Sequence, residues 1–179
     1  DAYGGAQRAY AKGQWDTVFN MMEQVATAES GSVDAVYFMA EAKRLSGNYE
    51  VALDYYQKAI DANANFAPIY LGRARANTAL NPKKDAALSD LDKAITLDTF
   101  YTEAYMERGL YFIRKNDLKS ARSDLEHAAS INSASPLIQI NLARVLLRLD
   151  ENEAALAAAQ RANELDVTSL EAYLVLGMA

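Results

Sequence analysis

Cysteine is absent from this 179-residue chain, which excludes a disulfide framework and thiolate chemistry. The one histidine, His127, excludes a histidine triad and any metal site built on several imidazoles. Three prolines and eight glycines leave too little turn material for an all-β fold. The glycines are also too scattered for a phosphate-cradling loop after a strand. No apolar run reaches the ~18 residues that a membrane-spanning helix needs, so direct membrane insertion is not expected. Lysine and arginine number 18 against 24 aspartates and glutamates, a formal charge of -6 that argues against nonspecific nucleic-acid binding. The composition fits a cytoplasmic or an extracytoplasmic setting equally and fixes no localisation. The chain begins at Asp1 without a start methionine or signal-type segment and stops inside an amphipathic pattern at Leu170–Ala179, so a piece excised from a longer protein is expected.

What is present is a helical composition with a period. Hydrophobic residues make up 51% of the chain and charged residues 23%, as in a core-forming protein rather than a disordered one. Ala52, Ala87, Ala121 and Ala155 follow one another at spacings of 35, 34 and 34. Seven residues on, Ala59, Ala94, Ala128 and Ala162 repeat those spacings, and a third series runs Ala40, Ala74, Gly109, Ala143 and Gly177. Together the series place one inserted residue between Ala74 and Ala87, around Asn81-Pro82-Lys83-Lys84. Small residues at fixed places let antiparallel helices approach to about 8–10 Å, while Tyr56, Leu91 and Leu125 fill the layers beside them. Expected first-of-pair helices cover 2–12, 34–46, 67–80, 102–115, 136–149 and 170–179; second helices cover 15–28, 49–62, 83–97, 118–131 and 152–165. Ser135-Pro136 reads as an N-cap with a first-turn proline. Asp150 with Glu153, and Thr168 with Glu171, have capping-box spacing, and Gly47-Asn48 and Asn116-Asp117 read as tight turns.

The segment Gly47-Asn48-Tyr49-Glu50-Val51-Ala52-Leu53-Asp54-Tyr55-Tyr56-Gln57-Lys58-Ala59-Ile60 resembles the second-helix pattern of the tetratricopeptide repeat (TPR) family. Ala87–Ile95, Asp117–Ala129 and Asn152–Ala162 repeat the resemblance in register. It implies an all-α, right-handed α-solenoid (a superhelix) of antiparallel helix pairs as a single TPR-like domain over 1–179. Its expected parts are a divergent repeat at 1–32, repeats at 33–66, 67–101 (with the inserted residue), 102–135 and 136–169, and a closing or truncated helix at 170–179. The stretch 1–32 keeps the turn at Gly13-Gln14-Trp15 but carries Val18 and Val25 where alanines are expected. The family's usual proline at the end of the second helix is replaced by Ala64, Thr99, Ser133 and Val167.

By the same resemblance, first-of-pair helices line a concave groove for a protein partner. The expected groove residues are Tyr37, Glu41, Leu71, Arg75, Met106, Leu110, Arg114, Ile140, Arg144 and Arg148. An apolar floor edged by arginines suits a protein or peptide that is apolar or amphipathic with acidic flanks. The lysine–asparagine clamp by which one branch of the family holds acidic chaperone tails is missing. Its places hold Tyr37, Glu41, Gly72, Glu103 and Glu107, so that ligand is excluded.

No catalytic, metal-binding or cofactor-binding residues are expected, and the chain is read as a non-catalytic interaction module. Asp90 with Asp92, and Glu151 with Glu153, are two apart and read as solvated charge rather than a carboxylate dyad. Trp15 and the tyrosines read as packing residues. Two alternatives stay open. One is a self-associating module, a homodimer through the C-terminal helix, where Tyr173, Leu174 and Leu176 have no following helix. The other is a recruitment domain of a larger enzyme or membrane-anchored protein.

Overall fold

A computed structural model describes residues 2–63, 65–82 and 85–179. Among them are eleven α-helices and no strand. They are α1 (Ala2–Ala11), α2 (Trp15–Ala28), α3 (Val33–Leu45), α4 (Tyr49–Ala62), α5 (Ala67–Leu80), α6 (Leu88–Leu97), α7 (Thr102–Arg114), α8 (Leu118–Ile131), α9 (Pro136–Arg148), α10 (Asn152–Leu165) and α11 (Leu170–Met178). The bounds agree with the expected helices to within a residue or two, except at α6. There a 3₁₀ turn at Asp85–Ala87 precedes the helix, and Lys83 and Lys84, expected to open it, lie outside the described residues. Ala87, beyond them, is buried.

The helices gather into two compact units, Asp1–Asp98 with α1–α6 and Thr99–Ala179 with α7–α11. Within each unit, successive helices pack as pairs. Four of the pairs close by one recurring turn. Gly13, Gly47, Asn116 and Asp150 all adopt positive φ, between 60° and 83°. The next amide in each case donates back five residues, as in Asn48 N–H to the Lys43 carbonyl (2.8 Å) and Asp117 N–H to the Phe112 carbonyl (2.9 Å). This is the Schellman ending, which satisfies the last carbonyls of a helix and suits glycine, asparagine and aspartate. Asp150 therefore ends α9 rather than capping α10, and its expected capping box with Glu153 does not form: the cap is Glu151, without a side-chain bond. Ser135 does cap α9, its hydroxyl accepting from Ile138 N–H, with Pro136 in the first turn.

The small-residue series explain how the pairs approach. All eight second-helix alanines are buried, as are Ala40, Ala74, Gly109 and Ala143; Gly177 in α11 is exposed. Leu91 and Leu125 are buried beside them, and so is Tyr56. In the second unit Leu125, Ile140, Val145, Ala159 and Val175 belong to one apolar core.

Two pairs carry a charged staple. Arg73 on α5 donates from Nε (2.8 Å) and Nη2 (2.6 Å) to the two oxygens of Asp90 on α6. One repeat later, Arg108 on α7 does the same to Asp124 on α8, at 2.8 and 2.7 Å. Asp90 and Asp124 are almost fully buried. The reading of Asp90 as solvated charge is thus corrected: bidentate pairing and burial by the facing helix hold it inside. Glu151 stays at the surface, 2.7 Å from the Arg122 guanidinium.

Candidate interaction surface

The second unit has a cavity of about 500 Å³ on its first-of-pair helices. Its wall repeats with the sequence. Leu110, Arg144 and Met178 are successive 34-residue equivalents, as are Ile113 with Leu147 and Arg114 with Arg148. On α7 the lining residues stand three and four apart, on α9 three, four and seven apart, so each helix offers one face. The floor is apolar (Leu110, Ile113, Val145, Leu147, Met178), and three guanidinium groups rise from it.

The arginines differ in what holds them. The Arg148 Nη2 donates to Asn116 Oδ1 at 2.7 Å, which ties it to the α7–α8 turn. Arg144 reaches Glu171 on α11, Nη2 to Oε1 2.6 Å. Arg114 is exposed at the end of α7 and has no ion-pair partner among the described residues. No carboxylate lines the cavity. Planar forks above an apolar floor can pair carboxylates bidentately while the floor takes up apolar side chains.

Four of the expected groove residues therefore meet here: Leu110, Arg114, Arg144 and Arg148. Met106 is half-buried against the unit's core and Ile140 lies within it. In the first unit, the expected groove residues are used for packing. Leu71 is buried. Tyr37 is half-buried, its ring edge-on to Phe66 at 5.4 Å and tilted against Tyr56 at 6.5 Å. Arg75 is half-buried on α5. Glu41 is only 6% exposed and accepts from Arg44 Nε (3.1 Å), Arg44 Nη2 (2.6 Å) and the Tyr56 hydroxyl. Burial first, then the Glu41 charge and hydrogen bond, push the Tyr56 phenol far above its ordinary range. Leu71, Ile140 and Glu41 are thus buried rather than lining a groove. Glu41 is drawn inward by Tyr56.

The first unit has its own cavity, about 470 Å³, between α1, α2 and α3. Tyr3, Gln7, Tyr10 and Phe38 rim it over a floor of Val18 and Met22. Tyr10 is braced edge-on by Trp15 at 5.2 Å. These residues escaped the sequence reading because the valines at 18 and 25 obscured the register of the first repeat. The signal was present in Ala6, 34 residues before Ala40, which puts Tyr3, Gln7 and Tyr10 at the places of Tyr37, Glu41 and Arg44. The exposed His127 ring lies tilted against Tyr105, with centroids 4.2 Å apart.

Residues 33–66 and 102–135 match the sequence profile of the tetratricopeptide repeat. The chain carries tetratricopeptide repeats. Protein SGT1 homolog of Oryza sativa subsp. japonica is 31% identical to this chain over 109 residues, 61% of the chain and 29% of the rice protein. The chain thus spans under a third of that relative's length. Among solved structures, TTC0263 of Thermus thermophilus, a thermophilic TPR protein, superposes with a TM-score of 0.77 at 21% identity, over 96% of this chain and 93% of its own. YrrB, described as a TPR protein with an unusual peptide-binding site, gives a TM-score of 0.73 at 17% identity, over 94% and 87%. The all-α TPR solenoid fold is shared with these structures. TPR folds are typically non-catalytic scaffolds for protein–protein interaction. No described helix of this chain is long and apolar enough to cross a membrane.

Proposed function

We propose that this chain is a non-catalytic interaction module that holds an apolar or amphipathic partner segment with acidic flanks against α7, α9 and α11. The observation that carries the reading is the coincidence of an apolar cavity with Arg114, Arg144 and Arg148, and the absence of any lining carboxylate. The peptide-binding site of YrrB lends the reading support by analogy of fold. Selection of a random displayed-peptide library on the chain is expected to enrich leucine, isoleucine or phenylalanine interspersed with aspartate or glutamate. Each hydrogen bond to a charged group is worth about 1.5–3 kcal/mol. Arg114→Glu and Arg148→Glu are therefore each expected to weaken the selected peptides roughly tenfold or more, with the melting temperature held. Peptides without acidic residues, or affinities indifferent to both reversals, would sink the reading.

A second reading is favoured by α11, which leaves Leu170, Tyr173, Leu174 and Met178 more than half exposed. Such a contiguous apolar face suits self-association. Light scattering at rising concentration is expected to show a dimer that Leu174→Glu converts to monomer. A mass that stays monomeric throughout counts against it.

A further inference from the structure

The sequence pairs Thr168 with Glu171 as a capping box, but the structure uses these residues differently. Ser169 is the N-cap of α11, its hydroxyl accepting from Ala172 N–H at 3.2 Å. The Glu171 side chain is released from that task and reaches Arg144 across the edge of the cavity at 2.6 Å. We propose that Glu171 is an internal stand-in for the partner's carboxylate: it occupies Arg144 in the unbound chain and is exchanged for an acidic side chain of the bound segment. This rests on the reading of the cavity as the partner site.

Three features distinguish this pair from a structural staple. It is half-open to water, with side chains 45% and 44% exposed, whereas the Arg108–Asp124 pair of the same unit is 22% and 8% exposed. It is an ion pair at 2.6 Å without the two-point hydrogen bonding by which Arg108 grips both oxygens of Asp124. It also has no equivalent in the preceding repeat, where the two places hold Leu110 and Leu137. An exposed pair of this kind is weak and exchangeable. Three arginines face the cavity and its edge against this one carboxylate, so the site remains cationic even when Glu171 is engaged. Charge complementarity calls for an acidic occupant. The fork of Arg144 can take a ligand carboxylate bidentately once Glu171 turns away.

The test measures binding of a short synthetic peptide of leucines and glutamates, and of its glutamine counterpart, by fluorescence anisotropy. The proteins are the wild-type chain and its Glu171→Gln, Arg148→Glu and Arg144→Gln/Glu171→Gln variants. Glu171→Gln is expected to bind the glutamate peptide about two- to fivefold more tightly, the range released by removing a weak exposed competitor. The glutamine peptide should show no such gain, and the double variant should lose it. If wild type binds the glutamate peptide and Arg148→Glu weakens it, yet Glu171→Gln binds no better, the stand-in role is overturned and the cavity reading survives. If neither wild type nor Glu171→Gln binds the glutamate peptide, both fall. A gain of equal size for both peptides also overturns the stand-in role, because it would not depend on a ligand carboxylate.

Discussion

Glu41→Ala is expected to cost the first unit about 3–5 kcal/mol, the range seen when one partner of a buried ion pair is removed. Glu41 accepts three hydrogen bonds in a nearly dry position, two from Arg44 and one from the Tyr56 hydroxyl. Burial works against the Arg44 charge, but the Glu41 hydrogen bond and charge more than offset it, so the guanidinium is held more firmly protonated than usual. Alanine would leave that cation half-covered without a counter-charge and strand a buried phenol donor at once. Glu41→Gln keeps an acceptor for Tyr56 and should fall between alanine and wild type. Urea unfolding followed by far-UV circular dichroism would measure all three. A Glu41→Ala loss within about 0.5 kcal/mol, the size of an ordinary surface substitution, would contradict the buried network.

Gly72→Ala is expected to destabilise the same unit by about 1–3 kcal/mol through overpacking. A methyl group at Gly72 would stand 2.5–2.6 Å from the Oη, Cζ and Cε1 atoms of Tyr56. Tyr56 is fully buried and tethered to Glu41, so its ring cannot swing aside. The penalty outweighs the roughly 1 kcal/mol by which alanine favours a helix over glycine. Gly109→Ala is the control. Its methyl group would meet Leu125 Cγ at 2.9 Å, but the same place in other repeats already holds Ala40, Ala74 and Ala143. In particular Ala74 coexists with Leu91, the counterpart of Leu125. Gly109→Ala should therefore stay near neutral, the small shift of Leu125 balanced by helix propensity. Glu41→Ala and Gly72→Ala both act through Tyr56, so a double-mutant cycle should show them far from additive. Equal costs at the two glycines would refute the special role of the tyrosine.

Helices and most turns were legible in the sequence because each is a periodic or local property. Three series of small residues fix the register without reference to any distant contact. The second-unit cavity was legible in part for the same reason: Leu110, Arg114, Arg144 and Arg148 share places one repeat apart. Side-chain direction was not legible where partners decide it. Glu41, Arg75, Leu110 and Arg144 occupy equivalent places, yet Glu41 turns inward because only its repeat offers a tyrosine hydroxyl at position 56. Asp90 looked like surface charge because its partner, Arg73, lies 17 residues away on the facing helix. The recurrence of the same arginine and aspartate at 108 and 124 was the available clue. In residues 1–32, Val18 and Val25 hid a register that Ala6 preserves.

The two arginine–aspartate staples bear on a hazard common to chains built of similar units, the docking of a helix with the wrong mate during folding. At the staple's places the flanking pairs carry Met39 with Tyr55, and Leu142 with Ala158. If α9 closed on α8, Leu142 would face Asp124 and leave a buried carboxylate without a cation. If α7 closed on α10, Arg108 would meet Ala158. Either error forfeits a paired charge, a cost of several kcal/mol that the native order avoids. The arrangement does not distinguish α5 from α7, since each arginine would accept the other's aspartate. The staples thus sort inner helix pairs from outer ones, but not the two inner pairs from each other.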